Sequence, residues 1–511
     1  MKLIDERKHQ YKVELHSHTD CSDGAYSPEE LKALYRKKGF DAVAFTDHDI
    51  FLRHNELTDD SFVALNGYEL NVPTPAHRAM RCFHINFIAE SPEISVMPGF
   101  DPMYVFQFNA KMHMEQVQGA EPSGFRDFTP EGMNRLIRAG NESGFLVSFN
   151  HPGWSLCTDR DYLPLEGLFA VEVHNSGNAD YRCMDEAVYQ SMLLQGKKLN
   201  CLATNDFHSF DGEDMSGAVY VQAEELTYTA LIKALKEGRF YSSNGPKINR
   251  LEIVDDVLYI ACSEAKSVVI ETATEHPRHI VSADGSFTEG NFRLGMAEKE
   301  WFRVTVTDKE GKKAWTNAVF NYPLMQLQEA FPDGCDSLLL CGREERLTAE
   351  DAGAQGRTCF VTEFVADQIE ELITAAETTG CKALTAVFST TESLHFDLYY
   401  YAGTEYQKAK QLESLTALEN ALDALGKWLK NSGISLKIVS MRPLPHNPAI
   451  YDYRNGHIRA VNERLCKFCI NNGAKFVDIY GAMAQENGIL ASEFEAPQER
   501  NVCYRNALQL K

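Results

Sequence analysis

The 511-residue chain has no run of about 18 uncharged apolar residues, so no segment reads as a membrane-spanning helix. Its opening, MKLIDERKHQYKVELHSH, has no apolar core after the early charges, so it does not read as a secretory leader. The expected location is the cytoplasm, with no membrane partner. Positive charge is scarce: 50 Lys and Arg stand against 73 Asp and Glu, a formal net charge of −23. Such a surface repels polyanions, so broad nucleic-acid binding is not expected, and an anionic substrate would need a local positive centre. Neither a Gly-x-x-x-x-Gly-Lys-Ser/Thr nor a Gly-x-Gly-x-x-Gly motif occurs, which leaves nucleotide-triphosphate and dinucleotide chemistry without support. Internal repeats and low-complexity tracts are absent as well. The thirteen cysteines, an odd number scattered along the chain, suit reduced thiols better than a disulfide framework. Cys466 and Cys469 form the one Cys-x-x-Cys pair, inside a helical pattern, and read as ordinary helix cysteines.

What is present suits a globular protein: 44% hydrophobic and 24% charged residues can build full cores, and this length suggests two or three domains. From Tyr11 to about Pro246 short apolar runs alternate with helical stretches, the pattern of successive βα units. Strands are expected at Tyr11–Leu15, Asp41–Phe45, Phe62–Leu65, Cys82–Ile88, Phe145–Phe149, Leu168–Val173 and Leu199–Ala203. Ser27-Pro28-Glu29-Glu30 places an N-cap, a proline at N1 and a glutamate at N3 before a helix that ends near Gly39. Further helices are expected at Thr129–Ser143 and Leu226–Lys236. Asn244-Gly245-Pro246 breaks the pattern, and the period then becomes two, with a turn at Asp308-Lys309-Glu310-Gly311. The expected division is therefore 1–246, a small β-rich module over 247–322, and a C-terminal α/β domain over 323–511. In the last, strands are expected at Ser337–Leu340, Ala383–Phe388, Phe396–Tyr401, Leu436–Ser440 and Phe476–Tyr480, with helices near Ala366–Thr378, Leu415–Lys430 and Asn455–Asn471.

The polar residues fall on this map with a regularity of their own. His16 and His18, two apart in an extended segment, point the same way and can share a metal. Asp23 follows; His48 closes the next strand; Glu69 lies just past Phe62–Leu65; His84 sits in Cys82–Ile88; His151 ends Phe145–Phe149; Asp206 and His208 end Leu199–Ala203. Strand ends of a parallel barrel converge on one mouth, so these nine residues should be neighbours. Imidazoles and carboxylates together are the donor set of Zn, Mn or Fe. Nine are too many for one ion of four to six ligands, so two or three divalent ions sharing a bridging carboxylate are expected. His9, His54, His77, His113 and His174 gain no such support and read as ordinary core or surface histidines.

ELHSHTDCSDGAYSPEELKALYRKKGFDAVAFTDHD closely resembles the opening of the PHP (polymerase and histidinol phosphatase) phosphoesterases, and FNHPGW and TNDFHS resemble later motifs of that family. The resemblance covers about residues 10–246. It implies a distorted seven-stranded β/α barrel, (β/α)7, with a trinuclear site: His16, His18, Glu69 and Asp206 on one ion, Glu69, His84 and His151 on a second, Asp23, His48 and His208 on a third. It further implies hydrolysis of a small phosphorylated substrate by metal-activated water, with His16, His18, Asp23, His48, Asp206 and His208 carrying the chemistry. The stretch around GKKAWTN is similar to the small β domain that follows some PHP domains. The last domain resembles the SGNH (GDSL-like) hydrolase fold, a flavodoxin-like α/β arrangement, through Phe396–Gly403-Thr404-Glu405 and Phe476–Tyr480. It departs at the nucleophile, where Leu340-Cys341-Gly342-Arg343-Glu344 holds no Ser, at Glu405 in place of Asn, and in lacking an Asp-x-x-His. No esterase triad can be built, so a non-catalytic role is expected.

The rival readings are amide or ester hydrolysis at the same site, since activated water attacks carbonyls too, and a non-catalytic metal-binding scaffold. Arg53, Arg78 and Arg81 would favour phosphate if they face the metals.

Overall fold

A computed structural model describes residues 1–74, 81–124, 126–178, 182–208, 215–254, 257–273, 276–294, 301–320, 334–342, 357–359, 365–388, 404–444, 451–485, 490–494 and 497–508. His77 and Arg78, the strand expected at Phe396–Tyr401, and Arg343 and Glu344 lie outside these residues. Two compact units divide the chain, Met1–Phe320 and Asn321–Lys511.

The first unit is a mixed α/β structure. Strands Tyr11–Glu14, Ala42–Phe45 and Val63–Pro73 pair in parallel; so do Phe145–Phe149, Ala170–Asn175 and Asn200–Thr204. Strand Cys82–Ala89 joins the two sets and runs antiparallel to both of its neighbours. The expected βα alternation fails there. Val63–Pro73 is eleven residues long, and it returns directly as Cys82–Ala89 with the register Glu69↔Asn86, so no crossover helix is needed. The far ends of this seven-strand array meet, since Ser17 bridges Phe207 and the Asp206 amide donates to the His16 carbonyl at 2.9 Å.

Helix Pro28–Lys37 begins with the expected capping box, Ser27 accepting from the Glu30 amide while the Glu30 carboxylate accepts from the Ser27 amide. Its buried Leu31 and Tyr35 pack with Phe40, Val43 and Phe62 beneath the sheet. Burying a side chain of this size is worth about 1.5–3 kcal/mol.

The 247–320 segment belongs to the same compact unit rather than standing apart. Strand Phe240–Ser243 hydrogen-bonds to Lys313–Thr316, so one sheet runs from the first 246 residues into the β segment. Trp301 and Trp315 are buried in a core they share with Val173, Tyr189 and Cys201. The expected turn is present: strands Trp301–Thr307 and Lys313–Thr316 reverse over Asp308–Lys312, with Gly311 at φ 85°.

In the second unit five strands form a fully parallel sheet in the order Arg357–Cys359, Ser337–Cys341, Ala383–Val387, Ser435–Val439, Lys475–Val477. Helices Val365–Thr379, Glu405–Ser432 and Tyr451–Asn472 supply its core with Ile369, Leu425, Ile458 and Leu465. The helix expected near Leu415–Lys430 starts ten residues earlier, at Glu405, because a polar first third carries too few apolar residues to mark it. Cys466 and Cys469 lie on Tyr451–Asn472, half-buried and buried.

His457 on that helix is buried at 5% exposure, and burial, with Arg464 adding repulsion, holds its imidazole down to about 4. The unfolded chain takes up a proton near pH 6.5 that the folded unit refuses until about pH 4. Stability should therefore fall as pH drops through that window, by on the order of 3 kcal/mol at its foot. Urea unfolding of the full chain at pH 7 and 4.5, beside His457→Leu, checks this; parallel losses in both proteins would refute it.

Candidate metal centre

Six of the nine expected ligands follow a strand end closely, Glu69 and His84 lie inside strands, and Asp23 is carried by the loop after Tyr11–Glu14. His16 and His18 follow Tyr11–Glu14, His48 follows Ala42–Phe45, Glu69 and His84 lie within the Val63–Pro73/Cys82–Ala89 pair, His151 follows Phe145–Phe149, and Asp206 and His208 follow Asn200–Thr204. All nine converge. Four overlapping groups bring ligand atoms within 4.8 Å of one another: His18, Asp23, His48 and His208; His16, His18, Glu69 and Asp206; His16, His151 and Glu172; His48, Glu69 and His84. The second is the set that the family resemblance places on one ion. His9, His54, His113 and His174 stand outside these groups, His54 against Phe45 and His174 over Trp315.

Glu69 is the hub. Its Oε1 lies 3.3 Å from His16 Nε2, 3.2 Å from His84 Nδ1 and 3.4 Å from His151 Nε2. Its Oε2 lies 3.4 Å from His18 Nε2 and 3.1 Å from His48 Nδ1. Asn150 donates to Oε1 at 2.7 Å and fixes the carboxylate. Asp206 Oδ1 is 3.2 Å from His16 Nε2 and 3.1 Å from His18 Nε2, and Asp23 spans His208 at 3.5 Å and His48 at 3.7 Å.

The backbone bends to make this possible. Asp49, His151 and Asp206 all adopt positive φ, at 60°, 26° and 49°. Such conformations cost about 1–3 kcal/mol each and persist only where the surroundings impose them. Gly24 is required for a related reason: a Cβ there would stand 2.4 Å from the His18 carbonyl oxygen, and the turn that carries Asp23 back over His18 could not close.

A further ring of residues aims the ligands. The His16 Nδ1–H donates to Glu172 at 2.8 Å, and the His208 Nδ1–H donates to the Asp206 carbonyl at 2.8 Å. His151 shares a hydrogen bond through Nδ1 with Ser155 Oγ at 3.2 Å. In each ring Nε2 is left for the cluster, the arrangement by which outer partners set the tautomer of a metal-binding imidazole. Glu172 also accepts from Thr204, Asn175 and the His151 amide. Glu14 accepts from the His16 and Asn205 amides and, through a short contact, from the Asn205 side chain. Asp47 gathers the Thr19 amide and hydroxyl and Ser22 Oγ, holding the loop that bears Asp23. Glu14, Asp47 and Glu172 were not among the expected site residues. The sequence does carry a signal for two of them: Glu14 and Glu172 interrupt runs, VEL and VEV, that are otherwise those of a buried strand.

The electrostatics are those of a cluster short of cations. Burial disfavours charge on Glu69, but His16, His84 and His48 outweigh it and hold its carboxyl well below the usual range. His18 shows the counterpart: burial opposes its charge, yet the carboxylates of Asp206, Glu69 and Asp23 close by raise it to about 10. Burial wins at His48, held near 3, and at Glu14, pushed up to about 8.

The donors fit a metal. His18 Nδ1, His48 Nδ1 and Glu69 Oε2 are buried without a hydrogen-bond partner, and His16 Nε2 faces His18 Nε2 at 3.2 Å. Buried polar groups left this way cost about 1–3 kcal/mol each, and divalent ions bound by these nitrogens and oxygens would remove the cost.

Two of the arginines that could have favoured phosphate are described. Arg81 is engaged by Asp161, donates to the Leu156 carbonyl and lies over the Phe128 ring, whereas Arg53 is exposed.

Residues 14–100 match the family model of the PHP domain, a span that holds His16, His18, Asp23, His48, Glu69 and His84. No curated protein matches. Among solved structures, a two-domain protein from Bacteroides vulgatus containing a predicted PHP-like metal-dependent phosphoesterase shares 15% identity over 62% of this chain and 96% of its own, with a TM-score of 0.31. An amidohydrolase from Chromobacterium violaceum shares 17% over 45% of this chain and 96% of its own, at 0.28. A GDSL-like lipase from Bacteroides thetaiotaomicron shares 13% over 34% of this chain and 88% of its own, at 0.26.

Proposed function

We propose, from the PHP domain carried by residues 14–100, that this chain is a metal-dependent phosphoesterase hydrolysing a small anionic phosphate ester, such as a nucleotide or sugar phosphate. One observation carries the reading: Glu69 stands within 3.4 Å of five imidazoles, with unpartnered nitrogens and a carboxylate oxygen buried around it. An arrangement this costly without cations fits a site for two or three divalent ions, Zn, Mn or Fe. His16, His18, Glu69 and Asp206 would hold one, Glu69, His84 and His151 a second, and Asp23, His48 and His208 a third. When bound, such ions draw charge from a phosphoryl oxygen and bring the pKa of water down toward ~7.

The chain's own residues do the rest. Glu172, Ser155 and the Asp206 carbonyl hold three imidazoles with Nε2 inward. Asn150 orients the Glu69 carboxylate between its neighbours. The unit's fold is proposed to be a distorted seven-stranded barrel with this site at its mouth, and the second unit to be a non-catalytic SGNH-like domain in a cytoplasmic protein. Amide or ester hydrolysis remains the second reading, favoured by the engagement of Arg81 with Asp161, which takes one guanidinium away from a phosphate.

The test is phosphate release from a panel of sugar and nucleotide phosphates with added Mn²⁺ or Zn²⁺, with amide and carboxylic-ester substrates run beside it. The Asp206→Ala/His208→Ala protein should lose both its bound metal and its activity. An unchanged rate in that variant refutes the reading, and turnover of carbonyl substrates alone moves it to the second.

A further inference from the structure

The ligand cluster leaves one large aromatic ring at its edge without a part in it. Trp154, half-buried, lies 5.1 Å from the His151 ring and 5.4 Å from the His84 ring, centre to centre. It is T-shaped to the first at 79° and tilted by 54° to the second. Its position is imposed. His151 turns at positive φ, the Ser155 amide donates to the His151 carbonyl at 3.1 Å, and the Cys157 amide donates to the Pro152 carbonyl at 3.1 Å. The Gly153 amide is held by buried Asp185 at 3.0 Å. This tight turn places an indole beside two candidate ligands while part of its surface stays open. Leu156, two residues further on, is 41% exposed in spite of its positive φ of 57°.

A half-buried indole beside a charged cluster offers an apolar face to the part of a substrate that lies next to its reacting group. Flat π-surfaces beside phosphate sites are the usual support for a planar ring, because every such ring can stack whatever its edge pattern. Resting on the phosphoesterase reading, we infer that Trp154 is a specificity-determining residue that stacks a planar aromatic ring in the leaving group of the substrate. An acyclic or sugar phosphate would gain nothing from it. The ring could be esterified directly or carried one sugar away, and the substrates below separate these sources.

The experiment compares kcat/KM for phenyl phosphate, adenosine monophosphate and glycerol 3-phosphate in the wild type, Trp154→Phe and Trp154→Ala. Trp154→Ala should lose about tenfold, mainly through KM, on whichever ring-bearing ester is turned over. Trp154→Phe should keep most of that rate, and glycerol 3-phosphate should be turned over equally by all three proteins. Equal loss on every substrate, or no loss on any, overturns the inference. If no protein releases phosphate, the phosphoesterase reading fails by itself, and binding then decides. Phenylphosphonate should quench tryptophan fluorescence in the wild type and not in Trp154→Phe, and methylphosphonate should leave both unchanged. Of the other three tryptophans, Trp301 and Trp315 are fully buried and Trp428 is half-buried in the second unit, so the difference between the wild type and Trp154→Phe is the part of the signal that reports on Trp154. Quenching that is absent, shared by methylphosphonate or kept in Trp154→Phe overturns the inference.

Discussion

Glu69→Ala is expected to lower both metal content and turnover more than any other single substitution. The carboxylate lies within 3.4 Å of nitrogens from His16, His18, His48, His84 and His151, and both of its oxygens are used. Removing a partner outside the ligand set typically costs ~10–100-fold in metal affinity, so loss of the shared carboxylate should cost more than a hundredfold. Elemental analysis after dialysis should find at least one fewer ion per chain than in the wild type. Glu172→Ala, which releases the His16 ring together with Thr204, Asn175 and the His151 amide, should fall between the two. A Glu69→Ala protein with the wild-type ion content would sink the shared-carboxylate arrangement.

Arg126→Met should be the most destabilising single change in the first unit that touches no candidate ligand. Arg126 is 3% exposed, and its guanidinium makes a short contact with the Asp49 carboxylate, which is fully buried. It also donates to the carbonyls of Asn71 at 2.8 Å and Gly99 at 3.1 and 3.3 Å, and lies 4.7 Å over the Tyr104 ring. Burial raises the Asp49 carboxyl, and Arg126 is the main influence opposing the rise. Removing one partner of a buried pair leaves the other charge uncompensated, at about 3–5 kcal/mol. Thermal unfolding should show that loss, and Arg126→Met/Asp49→Asn should recover part of it by removing the orphaned charge. A double variant no better than the single would show that packing over Tyr104, not the ion pair, carries the effect.

The ligand positions were legible because metal chemistry restricts residue type and strand ends restrict place: His16-x-His18, His48 and Asp206-x-His208 each follow an apolar run that folds as a strand. The capping box at Ser27 and the turn at Gly311 were legible for local reasons, each set by a few adjacent residues. What could not be read depends on contacts distant in sequence. Nothing near Cys82 says that its strand runs antiparallel, because that follows from the length of Val63–Pro73. Nothing in the 247–320 segment says that Trp315 packs with Val173 and Cys201, which makes one unit of two expected ones. Glu14 and Glu172 were passed over for a similar reason: a carboxylate inside an apolar run has meaning only once its partners, His16, Thr204 and Asn205, stand beside it.

The pairing of early strands with late ones sets a schedule for synthesis. Val13 pairs with Val219, and Lys2 pairs with Glu252. At ~5–20 residues per second, the ribosome reaches the later partners roughly 10–50 s after the first residues have been made. Throughout that interval His16 and His18 belong to a nascent chain whose Asp206 has yet to be added. Contacts this far apart in sequence also make for slow folding. The cluster can therefore gather its full ligand set only after about two-fifths of the chain exists, which makes metal loading a late event in the birth of the protein rather than a seed for it.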